Sequence, residues 1–278
     1  MEKLEFVNNR QQKIFDAILE IRPGINYQTL QTTLRKKDIK VNKKRISNNI
    51  FINIGDIITV FLPEKQKQEI EIIYQDENII IANKPQGMET TKKDKVFDGD
   101  CLEDCLEGCY ACHRLDKNTA GIVVLAKNTD SQQILEDAFK HQNIKKNYKA
   151  IVTGKVNTNG ANLTDYLIKL DNIVKVYSKK VENSKIIKTN YRVIDSKNEL
   201  YLLDIELLTG RTHQIRAHLQ HHGIFILGDE KYGNKEKNKL YKLKKQQLVA
   251  YKIFFDNLSQ HLSYLNKKTF EIKNIIKL

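Results

Sequence analysis

His113-Arg114-Leu115-Asp116-Lys117-Asn118-Thr119-Ala120-Gly121, followed at once by the apolar run Ile122-Val123-Val124-Leu125-Ala126, is the stretch from which this chain is best read. The apolar run has the composition of a buried strand, and the Lys-Asn-Thr-Ala-Gly before it is a turn, so the segment reads as a strand end entering a hairpin. Alternate side chains of an extended segment share a face, which would put Arg114 and Asp116 on one side and His113 and Leu115 on the other. For an isolated Arg-x-Asp, a structural salt bridge is the ordinary reading.

Outward from that stretch, two further segments stand out. Lys145-Lys146-Asn147-Tyr148-Lys149-Ala150-Ile151-Val152 puts a tyrosine at the start of an apolar strand in basic surroundings. Leu207-Leu208-Thr209-Gly210-Arg211-Thr212-His213-Gln214-Ile215-Arg216-Ala217-His218-Leu219 reads as a strand, a glycine turn and a helix start with Thr212 as N-cap. Gly228-Asp229-x-x-Tyr232-Gly233 follows, and upstream Asn83-Lys84-Pro85-Gln86-Gly87 closes a strand pair, Ile70–Tyr74 and Ile79–Ala82, around an Asp76-Glu77-Asn78 turn.

Taken together and in this order, the segments resemble the RluA-type pseudouridine synthases, whose motifs run H-R-L-D-x-x-T-S-G, K-x-Y-x-A and G-R-T-H-Q-I-R-x-H. Ala120 stands where the family has Ser, and Ile224-Phe225 replaces the H-P that precedes G-D-x-x-Y-G. The resemblance implies an isomerase that breaks the glycosidic bond of a uridine within RNA and rejoins the base through C5. It makes Asp116 the catalytic carboxylate, Tyr148 the active-site tyrosine and a candidate base, and Arg211 the ion-pair partner of Asp116. Arg114 would fill the space vacated by the flipped uridine. Attack on the anomeric carbon and elimination through a glycal both remain open. No cofactor is implied, and the partner would be RNA, large-subunit ribosomal RNA before transfer RNA, bound by a monomer.

The first part of the chain has a logic of its own. Ile14, Ala17, Ile18 and Ile21 mark one helical face stopped by Pro23-Gly24, and Tyr27, Leu30 and Leu34 mark a second helix. Short strands follow at Ile39–Asn42 and Gly55–Phe61. Arg35, Lys36, Lys37, Lys40, Lys43, Lys44 and Arg45 crowd this unit with only Asp38 opposing them, a density suited to phosphate contact. The pattern L-x-x-x-L-R-x-x-x-I-x-V-N with G-D-x-I resembles the S4-like RNA-binding module, with Lys43 in place of the usual Gly. We therefore expect an S4-like domain over residues 1–65, a polar linker at Glu64–Glu69, and a catalytic domain over 66–278. By resemblance the catalytic domain is α+β, a mixed and largely antiparallel sheet with flanking helices; the apolar periodicity alone supports only a mixed class.

Composition agrees with an RNA partner. Forty-seven Lys and Arg face 34 Asp and Glu over 278 residues, a net charge of +13, and excess positive charge favours polyanions through counterion release. No apolar run approaches the roughly 20 residues of a membrane span, and a cytoplasmic enzyme is expected. Cys101, Cys105, Cys109 and Cys112 are numerous enough to hold a metal, but Cys101 and Cys105 fall one turn apart beside Leu102 and Leu106, as on a short amphipathic helix ended by Gly108. They read as free buried thiols. His218 and His222 form an H-x-x-x-H pair without an obvious third ligand, so no metal is expected. Two other classes compete: a non-catalytic RNA-binding assembly factor, and a nucleoside or glycoside hydrolase, which would ordinarily need a second catalytic carboxylate.

Overall fold

Two separate apolar cores follow from the two patterns. The computed structural model describes every residue except 24, 26, 63–67, 93–100, 172 and 274–275. The chain divides into a first compact unit over Met1–Gln68 and a second over Glu69–Thr91 and Cys101–Leu278. The helix stop expected at Gly24 and most of the expected linker lie outside the described residues.

The first unit holds β1 (Glu2–Val7), β2 (Gln12–Lys13), α1 (Ile14–Ile21), α2 (Tyr27–Arg35), β3 (Ile39–Val41), β4 (Lys44–Arg45), β5 (Phe51–Ile52) and β6 (Ile57–Leu62). Its four-stranded sheet has the order β1-β6-β3-β4, and β2 pairs β5 apart from it. Ile14, Ala17 and Ile18 of α1 and Leu30 and Leu34 of α2 pack on Ile39, Ile58 and Val60. Ile21, expected on the buried face, is exposed. The strand β1 is absent from the sequence expectation; its alternation, with Leu4 and Phe6 turned to the core, is the signal that marks it. The V-N and G-D pairs interlock: Asn42 donates from Nδ2 to Asp56 Oδ1 at 2.7 Å and accepts the Ile57 N–H at 2.9 Å. Asn42 and Lys43 both take positive φ, 47° and 67°, in the two-residue turn joining β3 to β4. Such hairpin turns need left-handed residues, which explains the glycine usual at the second position.

The second unit begins with β7 (Glu71–Gln75), β8 (Ile79–Lys84), α3 (Leu102–Cys105), β9 (Tyr110–Ala111), β10 (Ala120–Ala126), α4 (Thr129–Lys140) and β11 (Ile144–Gly154). It continues through β12 (Ala161–Lys169), β13 (Val174–Tyr177), β14 (Lys185–Lys197), β15 (Leu200–Leu207), α5 (Gln214–His221), β16 (Ile224–Ile226), α6 (Lys235–Leu240), β17 (Leu248–Phe255) and β18 (Thr269–Glu271). One sheet runs β13-β12-β14-β15-β11-β17-β10-β8-β7, with β9, β16 and β18 attached at β10, β11 and β17. Every pairing is antiparallel except β10 with β17. The class is the expected α+β.

Strand alternation splits the core between two faces. Ile80, Ala82, Val123, Leu125, Tyr148 and Ala150 pack with Leu115 and with Ile215 and Leu219 of α5. Ile79, Ile81, Ile122 and Val124 face the other way onto Leu135 and Ala138 of α4. The cysteines divide the same way: Cys105 and Cys109 pack on the first face, Cys112 on the second, and all four are free thiols. α3 is the short helix expected, and Gly108 beyond it has φ 77°.

Candidate active site

A loop, a strand and a helix carry Asp116, Tyr148 and Arg216, and the sheet fixes where they meet. Tyr148 on β11 is paired with Ala250 on β17, and Ala250 with Gly121 on β10. This row puts the tyrosine in line with the end of the first motif. Gly121, at φ 116°, is required there because a Cβ would overlap the Ala250 carbonyl.

Asp116 is not on a strand. β9 and β10 do pair as a hairpin, but residues 112–119 form its loop, with a turn closed by Thr119 N donating to Asp116 O at 2.9 Å. The loop is held on all sides. Thr90 Oγ1 accepts from Leu115 N and donates to Leu115 O, both at 3.1 Å. Gly87 N donates to Lys117 O at 2.8 Å, and Gln86 Nε2 donates to Asn118 O at 2.9 Å and Gln246 O at 2.7 Å. Lys84, with no exposed surface, points its ammonium at the carbonyls of Met88 (2.6 Å), Pro85 (3.2 Å) and Lys117 (3.2 Å). Burial pulls Lys84 down to about 8, against the favourable charges of Glu89 and Asp116. The Asn-Lys-Pro-x-Gly stretch is therefore the clamp on the Asp116 loop.

The guanidinium bonded to Asp116 belongs to Arg216, not to Arg211. Arg216 Nη1 donates to Asp116 Oδ2 at 2.8 Å, while Nε and Nη2 form a fork on Asp229, at 2.6 and 2.9 Å. The Tyr232 ring lies against it, with the guanidinium carbon 5.1 Å from the ring centroid. Arg211 is exposed, and its backbone N–H donates to Gln214 Oε1 at 3.1 Å. The physical reason lies in the entry to α5. Gln214 anchors the turn, accepting from Thr209 Oγ1 and Arg211 N and donating to Lys188 O and Thr189 Oγ1. His213, not Thr212, is the N-cap, in a left-handed conformation at φ 53°. The helix starts there, so Arg216 rather than Arg211 leaves its first turn toward the Asp116 loop.

The electrostatics follow from burial. The Asp229 side chain has no exposed surface, that of Arg216 is 11% exposed and that of Asp116 25%. Burial works against the charge on Asp229, but the Arg216 hydrogen bonds and charge outweigh it and hold the carboxyl below its ordinary value. Backbone N–H groups of Lys231 and Tyr232 donate to its Oδ1, at 2.9 and 3.0 Å. Burial likewise opposes the charge on Arg216, and Asp229 and Asp116 overcome it, holding the guanidinium above its ordinary value. Tyr148 is pushed up by burial and then by Asp116, so its phenol is neutral over the physiological range. His113 is pushed down to about 3 by burial and by Lys146, and its Nε2 accepts the Val124 N–H at 3.1 Å. It is a neutral brace between loop and β10. Arg114 is exposed.

Arg216, Asp229, Tyr232 and Lys84 are thus present in the motifs read from sequence but without these roles. What could have found them is the three-residue step from His213 to Arg216 on a helix, with an Asp and a Tyr spaced for one turn downstream. In the first unit, Arg35, Lys36, Lys37, Lys43, Lys44 and Arg45 are exposed and Lys40 half-buried, its ammonium 5.2 Å from the Phe61 ring centroid. Among the described residues no helix is long and apolar enough to cross a membrane.

Comparisons with known proteins point one way on the family. The family model for RNA pseudouridylate synthase matches residues 78–221. An uncharacterized RNA pseudouridine synthase of Mycoplasma capricolum is 31% identical, covering 96% of this chain and 95% of its own. Ribosomal large subunit pseudouridine synthase C of Rickettsia felis is 32% identical over 77% of this chain and 79% of its own. Among solved structures, human RNA pseudouridylate synthase domain containing 4 superposes with a TM-score of 0.59 at 23% identity, over 73% of this chain and 87% of that one.

Proposed function

This chain belongs to the RNA pseudouridylate synthase family, and we propose that it isomerises uridines of large-subunit ribosomal RNA with Asp116 as the catalytic carboxylate. The observation that carries the assignment is the single guanidinium of Arg216 shared between a fully buried carboxylate, Asp229, and a partly open one, Asp116. A bidentate partner fixes the arginine, leaving Nη1 to orient Asp116 through Oδ2. In the reaction the C1′–N1 bond breaks, the base turns, and C1′ bonds to C5; the C5 proton is lost and N1 gains one. Asp116 serves either as nucleophile at C1′ or as the base that opens a glycal, and both require an oriented carboxylate. Tyr148 enters as a neutral phenol, so it can take the C5 proton only by passing its own hydroxyl proton on in the same step.

Arg114, exposed two residues before Asp116, is suited to replacing the unstacked base. The first unit we assign as an S4-like RNA-holding module on its exposed basic hairpin. The relatives named as large-subunit enzymes support ribosomal RNA ahead of transfer RNA. No step calls for a cofactor, and we assign the enzyme to the cytoplasm as a monomer.

Asp116→Asn tests the chemistry. With RNA tritiated at uridine C5, the variant is expected to release no label above background while binding RNA within a few-fold of the parent, because the amide keeps shape and loses charge. Appreciable release by the variant would remove Asp116 from the mechanism. Free uracil from the parent would make the enzyme a hydrolase. Pseudouridine maps of cellular RNA with and without the gene should differ at large-subunit positions; a difference confined to transfer RNA would move the substrate.

A further inference from the structure

The H-x-x-x-H pair of α5 has its third ligand on a different element. Asp165 lies on β12, 5% exposed at its side chain, and its Oδ2 is 3.0 Å from His218 Nε2 and 2.6 Å from His222 Nε2. All three ligand atoms fall within 4.8 Å of one another, and this is the one such group of His, Cys, Asp and Glu found among the described residues. We propose that Asp165, His218 and His222 bind one divalent transition-metal ion, clamping α5 to β12.

Both imidazoles bring Nε2 to the same Asp165 oxygen, hydrogen-bonded to it in this arrangement, so an ion entering between them needs these atoms to spread from 2.6 and 3.0 Å to roughly 3.3 Å. With Zn–N bonds of about 2.1 Å, two imidazoles on a tetrahedral ion have ring centroids roughly 5–5.5 Å apart. The His218 and His222 centroids are 5.6 Å apart, so small side-chain adjustments suffice. The outer contacts are in place as well. His218 Nδ1 lies 2.9 Å from Thr189 Oγ1, and Gln214 Nε2 donates to the same oxygen at 3.1 Å. A hydroxyl has two lone pairs, so once an ion takes Nε2, Thr189 can accept from Gln214 and from a His218 Nδ1–H alike. Moving the ring proton from Nε2 to Nδ1 costs no net proton.

Two nitrogens and one carboxylate oxygen favour zinc among the available divalent ions, and reject calcium and magnesium, which take oxygen ligands. His218 has no exposed surface, whereas the His222 side chain is 36% exposed, so the ion is reached from the His222 side and a solvent ligand can complete its shell there. The consequence is mechanical. His218 is two residues from Arg216, and an ion joining α5 to β12 would lock the helix that aims the guanidinium at Asp116.

The test uses the full chain stripped with chelator and titrated with zinc against a chromogenic competitor, in parallel with His222→Ala and Asp165→Asn. One equivalent is expected to bind the parent, with affinity at least tenfold weaker in each variant and a zinc-dependent rise in melting temperature seen only in the parent. His222 is the least buried ligand, so its removal keeps the measurement meaningful if Asp165→Asn folds poorly. Cobalt should give a visible spectrum of tetrahedral nitrogen and oxygen ligation. Equal zinc binding by parent and His222→Ala, no binding by the parent, or a cobalt-thiolate band placing the ion on the cysteines would each overturn the proposal.

Discussion

The two units of this protein use cations in opposite ways. In the second unit Arg216 and Lys84 are largely removed from water and each donor nitrogen has a fixed acceptor: two carboxylates for the arginine, three backbone carbonyls for the lysine. In the first unit Arg35, Lys36, Lys37, Lys43, Lys44 and Arg45 stand exposed around a helix end and a tight turn. A buried cation acts through geometry, because its alternatives have been removed along with water. An exposed one acts through number, because each is screened and mobile. The difference teaches that charge count marks the surface we assign to RNA, whereas a buried cation and its partners are found only by following hydrogen bonds.

The comparison breaks most readily at Arg216. Arg216→Lys keeps the charge but loses the fork that holds Asp229 and Asp116 together, and single-turnover rates should fall roughly 10³-fold with RNA affinity little changed. Arg211→Lys should cost far less. Equal losses in the two variants would return Arg211 to the carboxylate.

Lys84 gives a pH signature. Its folded value, about 8, lies below its ordinary 10.5, so between those values the unfolded chain binds the extra proton and stability rises with pH. Across that window the parent should gain about 3 kcal/mol relative to Lys84→Met, measured as the difference in unfolding free energy at each pH. A constant difference would mean the lysine is not buried as a cation.

In the first unit no single charge should matter so much. Replacing Lys36, Lys37, Lys40 and Lys44 together with Ala should weaken binding to structured RNA and shrink the slope of log affinity against log salt by about 0.7–0.9 for each phosphate no longer neutralised. Single-turnover rates at saturating RNA should stay near those of the parent. An unchanged slope would take RNA off this hairpin.

The smallest effect sharpens the contrast. Lys43 occupies a left-handed turn position at φ 67°, where a side chain costs about 1 kcal/mol or more that glycine avoids. Lys43→Gly should therefore raise the melting temperature slightly while weakening RNA binding by a single exposed charge. Stability lost on this change would show that the lysine side chain, not the turn, sets this position.

The sequence by itself determined strands at Ile39–Asn42, Gly55–Phe61, Ile79–Ala82 and Ile122–Ala126, the order of the motifs and the carboxylate we assign to the chemistry. Continuous apolar runs such as Ile79–Ala82 and Ile122–Ala126 can be buried in few ways, because both faces must be covered, and the turn residues beside them need no distant information. Even so, Lys84 reads in sequence as part of a loop signal, because its three acceptors are backbone carbonyls that no side-chain pattern announces. Only the tertiary structure decided which arginine meets Asp116 and which carboxylate meets His218 and His222. Arg211 and Arg216 differ by five residues on one segment, and the choice between them rests on a left-handed His213, a turn tied by Gln214 and the buried anchor Asp229. Asp165 lies more than fifty residues from its histidines along the chain and reaches them because α5 packs across β12. Spacing along a chain records neighbours within one element; partners brought together by packing across a sheet leave no local trace.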